Sequence, residues 1–298
     1  LRAVTAHIMT QVGPKPDLEL EKPAEVAQPS QVQNLCIIGM SARFPGCTGN
    51  SLEEYFTMLS KGCDTISEIP LQRWDVDTYY CENKATDGKI YTRYGGFVRG
   101  LEGFDMKYFG ISVPDATAMD AHQRLLLEAA FESFWNANFA KLDLLKSNTG
   151  VFIGSTTLSG ISVEDKEVNP YTNIGTSIAG SSGRISHVFG LHGPCITVDT
   201  ACSSTLVGAD LAAQSLRASR CELACAAGSN VQLCPRSWVG FCKMTGLSED
   251  GRCKTFDNRA DGFARSEGAG SLVVCRPAES MQKAKPSICG LAGSCVNS

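Results

Sequence analysis

The sequence predicts an α/β fold, a layered sheet covered by helices on both faces, and two observations carry that expectation. Short apolar runs bounded by glycine or charge recur along the chain, as strands of a buried sheet require. Between them lie segments whose apolar residues repeat every three or four positions, as helices packed on such a sheet require. At 298 residues, 43% hydrophobic and 19% charged, the chain is long enough to bury a substantial core.

The first strand is Leu35-Cys-Ile-Ile-Gly39. Ser51 then caps a helix over residues 52–60, with Glu54 completing a capping box. Residues 61–110 are rich in Gly, Asp and Tyr at irregular spacing and read as a long surface excursion. From Pro114 to Asn138 the pattern is helical, with Leu126, Ala129, Ala130, Ser133 and Phe134 on one face and Pro114 in the first turn. Gly150–Gly154 is a second strand and Cys195–Asp199 a third. A helix follows from Ser203 to Ser219, its inner face drawn from Leu206, Ala209, Ala213 and Leu216. Leu223–Ala227 makes a fourth strand, Ser271–Cys275 a fifth, and a short one runs within Ile288–Val296.

Composition narrows the function classes. Formal net charge is −4 with no basic block, which argues against a nucleic-acid partner. No apolar run approaches the roughly 20 residues of a membrane span, and the N-terminus lacks the pattern of a secretory signal. Residues 13–32 hold four prolines and no aromatic, the composition of a linker. Residues 1–12 read equally as the tail of an upstream domain or as a disordered terminus. Fourteen cysteines invite a disulfide or zinc reading, but no C-x-x-C occurs and there are only four histidines, His7, His122, His187 and His192. Most of the thiols are expected to be small buried hydrophobes in a reducing, intracellular compartment, cytoplasmic or organellar.

The chemistry centres on Cys202 in VDTACSS. A strand that delivers a cysteine through a tight turn onto a helix start places the thiol near unpaired N–H groups and the positive end of the helix dipole. A thiol there ionises more readily and is a better nucleophile, and the same N–H groups, that of Cys202 included, are suited to hold an oxyanion. On composition alone, with thirteen other thiols, a buried structural cysteine is the simpler reading.

Context reverses that. GPCITVDTACSSTLVGADLAAQSLRASRCELACAAGSNV resembles the active-site segment of β-ketoacyl synthases, above all the ketosynthase domains of type I polyketide synthases and multidomain fatty-acid synthases. VQNLCIIGMSARFPGC, ISEIPLQRWDVDTYY, GKIYTRYGGFV, FGISVPDATAMDAHQRLLLEAAFESF, TGVFIGSTT, AGSSGRISHVFGLHGP and LSEDGRCKTFDNRADGFARSEGAGSLVV follow the order of that family. The resemblance covers about residues 33–298 and implies a thiolase-like layered α/β/α fold. It implies residues 33–278 as the N-terminal half, 279–298 as the start of a C-terminal half, and 1–12 as the tail of a carrier domain. Cys202 falls on the cysteine that carries the acyl chain, delivered on the phosphopantetheine of an acyl carrier protein, with no cofactor or metal bound. It further implies decarboxylative condensation with a malonyl-type extender, and a homodimer through the Leu223–Ala227 strand.

The family also uses two histidines in C-terminal motifs, and no histidine follows His192 here. The expectation is therefore a partial sequence, unable to condense by itself and exposing apolar surface where the other half would pack. A non-elongating domain that only holds acyl chains is the alternative. A decarboxylating loading variant, which carries Gln at the nucleophile position, is opposed by Cys202.

Other charged motifs read as structural. Asp120, His122, Arg124 and Glu128 lie in MDAHQRLLLE, where the family usually has Pro-Gln at Ala121-His122. An Asp120–Arg124 ion pair within the helix and a surface or interface role for His122 are expected. Asp257, Asp261, Arg265 and Glu267 read as a charged loop bracing the active site rather than a metal site. Ser266 replaces a family glycine, which leaves the local backbone geometry open. His187 and His192 match no catalytic family histidine.

Overall fold

A computed structural model describes residues 34–47, 52–156, 168–277 and 286–297. Ser51, residues 1–12 and the proline-rich linker lie outside them. In chain order the strands and the longer helices are β1 (Leu35–Arg43), α1 (Leu52–Ser60), β2 (Ile66–Glu68), β3 (Tyr94–Gly96), α2 (Val113–Ala118) and α3 (Ala121–Asn136). They continue with β4 (Thr149–Gly154), α4 (Ile178–Phe189), β5 (Cys195–Val198), α5 (Ser204–Arg217), β6 (Leu223–Asn230), α6 (Arg236–Lys243), β7 (Gly268–Cys275) and β8 (Cys289–Leu291).

Six strands form one mixed sheet in the order β5-β4-β6-β7-β1-β8, with β5, β4 and β6 parallel and β7 antiparallel to both its neighbours. Period-two alternation sorts its side chains between two cores. Val151, Ile153, Cys225, Ala227 and Val273 face one way, against Leu126, Ala130 and Phe134 of α3 and Ile185 and Phe189 of α4. Phe152, Ala224, Ala226 and Val274 face the other, against Ala212, Ala213 and Leu216 of α5. Helices on both faces make this the predicted layered architecture.

Five expectations are corrected. Residues 61–110 are not only a surface excursion. Ile69, Trp74, Val76, Ile90 and Tyr91 form a core of their own with Trp238, Cys242 and Leu247. The Trp74 and Trp238 rings meet edge-on at 5.5 Å. No local period marks these residues, because their partners lie more than 140 positions away. Leu206 is 77% exposed, since the first turn of α5 lays Ser204 and Thr205 on the sheet and turns Leu206 away from it. Only Cys221, Cys225, Cys242 and Cys275 are buried, whereas six cysteines are exposed and four half-buried. No disulfide joins any of them among the described residues. Strand β6, which contains Leu223–Ala227, is hydrogen-bonded on both sides and buried along that stretch. It has no edge to offer a second copy of the chain; the edge strands of the described sheet are β5 and the three-residue β8.

The fifth correction concerns α3. The helical pattern breaks at Met119-Asp120, and Asp120 caps α3 by accepting the His122 N–H through Oδ1 at 2.8 Å. No Asp120–Arg124 ion pair forms among the described side chains, and His122 is buried, not at the surface. No described helix is long and apolar enough to cross a membrane.

Candidate active site

Strand β5 runs parallel to β4, with Val198 opposite Gly154. The chain then passes through Asp199 and Thr200 into a single 3₁₀ turn, Ala201–Ser203, and enters α5 at Ser204. Cys202 is at the centre of that turn and exposed. It therefore precedes the helix by two residues instead of lying within it. Ala201 adopts φ +56°, a left-handed conformation costing an alanine about 1–2 kcal/mol.

Short polar side chains hold the turn in this shape. The Ala201 N–H donates to Asp199 Oδ1 at 2.9 Å and the Thr200 N–H to Ser204 Oγ at 2.8 Å. Ser204 Oγ in turn donates to the Ala201 carbonyl at 2.6 Å, and Ser203 Oγ to the Thr200 carbonyl at 2.9 Å. The result is a thiol carried on the outside of a turn whose own backbone is pinned from within.

Two glycines bring this turn onto the sheet. A Cβ on Gly154 would lie 2.2 Å from the Thr205 nitrogen, and one on Gly228 would lie 2.0 Å from Thr205 Oγ1. The start of α5 thus rests directly on the carboxyl ends of β4 and β6. Open α/β sheets place their ligands at these strand ends.

The same end of the sheet carries a buried polar network. Arg73 Nε and Nη2 donate to Glu267 at 2.6 and 2.8 Å, with the two side chains 5% and 0% exposed. Glu267 also accepts the Val98 N–H at 2.8 Å and the Gln232 N–H at 3.0 Å. Gln232 Oε1 accepts from Trp238 Nε1 at 3.1 Å and Arg265 Nη2 at 2.6 Å. Breaking such a buried pair by removing one partner typically costs about 3–5 kcal/mol. Glu267 therefore ties the 61–110 region, the exit of β6 and the entry to β7 together.

The loop preceding it is paired throughout. Asp257 binds Arg259 at 2.9 Å and Asp261 binds Lys254 at 2.7 Å. Ser248 and Lys254 hold the Asp250 carboxyl down to about 2. Ser266 has an ordinary negative φ, so the missing family glycine imposes no strain. Among the described residues no three metal-binding side chains cluster. His187 lies in the last turn of α4 and His192 precedes β5, both at the opposite end of β5 from Cys202.

Sequence reasoning missed Arg73, Gln232 and the burial of His122. Arg73 and Glu267 are 194 positions apart, so no local pattern reveals their pairing. For His122 the one signal in the sequence was the Asp two residues earlier, a helix cap that turns the following side chains inward.

A family model for the β-ketoacyl synthase N-terminal domain matches residues 33–280. The chain belongs to the β-ketoacyl synthase family. It is 43% identical over 270 residues to polyketide synthase GfsA of Streptomyces halstedii, an alignment covering 88% of this chain and 4% of that protein. It is 37% identical over 280 residues to a phenolphthiocerol/phthiocerol polyketide synthase of Mycobacterium tuberculosis, covering 93% of this chain and 15% of the relative. Among solved structures, the ketosynthase from module 6 of the Bacillus subtilis bacillaene synthase superposes with a TM-score of 0.76 at 34% identity. The match covers 85% of this chain and 42% of that one. An oxazolomycin ketosynthase domain of Streptomyces albus gives 0.79 at 29% identity, over 86% and 44%. The thiolase-like fold of ketosynthases is thus the fold of this chain, which spans less than half of those domains.

Proposed function

We propose that Cys202 is the acyl acceptor of a ketosynthase acting in polyketide or fatty-acid assembly. The observation that carries this reading is the exposed thiol on a pinned, left-handed strand-to-helix turn at the carboxyl ends of parallel strands. The thiolate attacks the carbonyl carbon of an acyl thioester presented on the phosphopantetheine of an acyl carrier protein. The carbonyl oxygen becomes an oxyanion, for which the Cys202 N–H is the proposed donor. Collapse breaks the carrier's C–S bond, and its thiolate takes up a proton. In the second step a malonyl-type thioester loses carbon dioxide. The resulting carbanion attacks the acyl group on Cys202, and the enzyme thiol is released.

That second step needs donors for the enolate oxygen, and His187 and His192 lie away from the turn. We therefore expect the 298-residue chain to accept an acyl group but not to condense it. Incubation with an acyl N-acetylcysteamine thioester, followed by peptide mass spectrometry, should find the acyl mass on the peptide containing Cys202. Acylation spread over the exposed thiols, or absent, refutes the proposal, and β-ketoacyl product from the chain with a malonyl thioester refutes the second part. A homodimer remains part of the reading, with its contact moved to β5. Its support is the strand's edge position and the exposure of Cys195 and Ile196. The reducing, intracellular setting is likewise proposed, on the number of thiols outside disulfides.

A further inference from the structure

Of the three histidines described, only His122 is buried, at 3% exposure. It stands in the first turn of α3, with Nδ1 2.8 Å from Asp120 Oδ1. Its Nε2 accepts the backbone N–H of Val231 at 2.9 Å. A ring nitrogen that accepts an N–H carries no proton of its own. The ring is therefore neutral, its proton on Nδ1 and donated to Asp120. Ser229 Oγ adds a second tie, donating to the His122 carbonyl at 3.3 Å.

These bonds hold the exit of β6. Val231 is the first residue beyond the strand, 4% exposed, and packs with Ala121 and Leu125 of α3. Its neighbour Gln232 is fixed by Glu267, and three residues back Gly228 lies under Thr205 at the start of the Cys202 helix. The imidazole thus joins the beginning of α3 to the strand end on which the Cys202 turn rests.

We propose that His122 is a positioning residue for acyl loading, one that fixes the β6 exit beside Cys202 through its bond to the Val231 N–H. This rests on the acyl-acceptor reading of Cys202. Among the described residues, the charged groups near it are the following. Asp120 faces the ring from its own helix. On the β6 side Glu267 is closed by Arg73, and Arg265 is bound to Gln232. Ser229 and Val231, which touch His122 from β6 and its exit, are uncharged. Gly175, whose carbonyl accepts the Asp120 N–H, is uncharged too.

Two substitutions separate this role from bulk packing. His122→Gln keeps an acceptor for Val231 and a donor for Asp120, whereas His122→Phe keeps volume and loses both. Acyl loading of Cys202 from an N-acetylcysteamine thioester would be timed by mass spectrometry, with hydrogen exchange followed at residues 229–233. His122→Phe should load about ten- to a hundredfold more slowly and exchange faster at Val231. His122→Gln should load close to wild type.

Loading at the wild-type rate by folded His122→Phe would overturn the proposal, as would His122→Gln loading as slowly as His122→Phe. If His122→Phe does not fold, His122→Ala, which loses both bonds without adding volume, is read in the same way. If the wild-type chain takes no acyl group, the reading of Cys202 fails. Alkylation of Cys202 by iodoacetamide and exchange at Val231, in the same variants, then decide the role of His122.

Discussion

Cys202 and Cys225 are the same side chain in two opposite settings twenty-three positions apart. Cys225 lies mid-strand in β6, paired with Val151 on one side and Val273 on the other, and is fully buried. Removal from water favours its neutral form, and burial pushes the thiol up to about 11 despite a contact with Ser271 Oγ at 3.4 Å. Cys202 stands on an exposed turn ahead of a helix start. In a chain with fourteen thiols, position in the fold, not residue type, separates a nucleophile from a core residue.

Three experiments put that contrast at risk, in descending order of effect. Replacing Cys202 by Ser should lower acyl loading on the order of a thousandfold or more, read by mass spectrometry. Cys225→Ala should load at the wild-type rate. A large loss with Cys225→Ala and none with Cys202→Ser would invert the assignment.

Next in size is Gly154→Ala. The added methyl meets the backbone of Ser204 and Thr205, which has no rotamer to yield. Overpacking of this kind costs about 3 kcal/mol at the upper end of its range, visible as a lowered urea midpoint. Because α5 must lift to relieve the clash, Cys202 loading should fall with it. Unchanged stability would mean that the turn does not rest on β4 as described.

The smallest effect is alkaline. Buried Cys221, raised to about 11 by desolvation, and Cys225, raised likewise, stay protonated in the fold above pH 9. The unfolded chain ionises at its lower, ordinary value. Their contribution is intact below pH 9 and is lost as pH rises toward 11. By pH 10 that amounts to roughly 1 kcal/mol for each thiol. Urea titrations at several alkaline pH values should show the decline, and Cys225→Ala should make it shallower. Cys202→Ser should leave it unchanged.

Much of this molecule was legible in its residues, and the failures have identifiable causes. The strands around Leu35, Gly150, Cys195, Leu223 and Ser271 all form, because each is an apolar run too short for a helix. Pro114 does sit in the first turn of its helix. The 61–110 core was invisible because its aromatic residues pack against Trp238 and Leu247, not against each other in any period. His122 was misplaced because the helical run read from Pro114 is broken at Met119-Asp120, and α3 starts anew at a cap that aims the ring inward. The left-handed Ala201 carries no sequence signal, since alanine is not a residue chosen for that conformation.

The residues alone determined the layered α/β class, the family and the one cysteine to watch, because these depend on local periodicity and on motifs contiguous in the chain. Only the tertiary structure decided which strand is interior and which is an edge. An apolar run reads the same in either place, yet β6 is inserted between β4 and β7 while β5 is left at the margin. It also decided that Gly154 and Gly228 seat the Cys202 turn, and that Glu267 and His122 anchor the strand end beside it. Those contacts join residues about twenty-five to two hundred positions apart, and it is strand order, which no local pattern encodes, that brings them together.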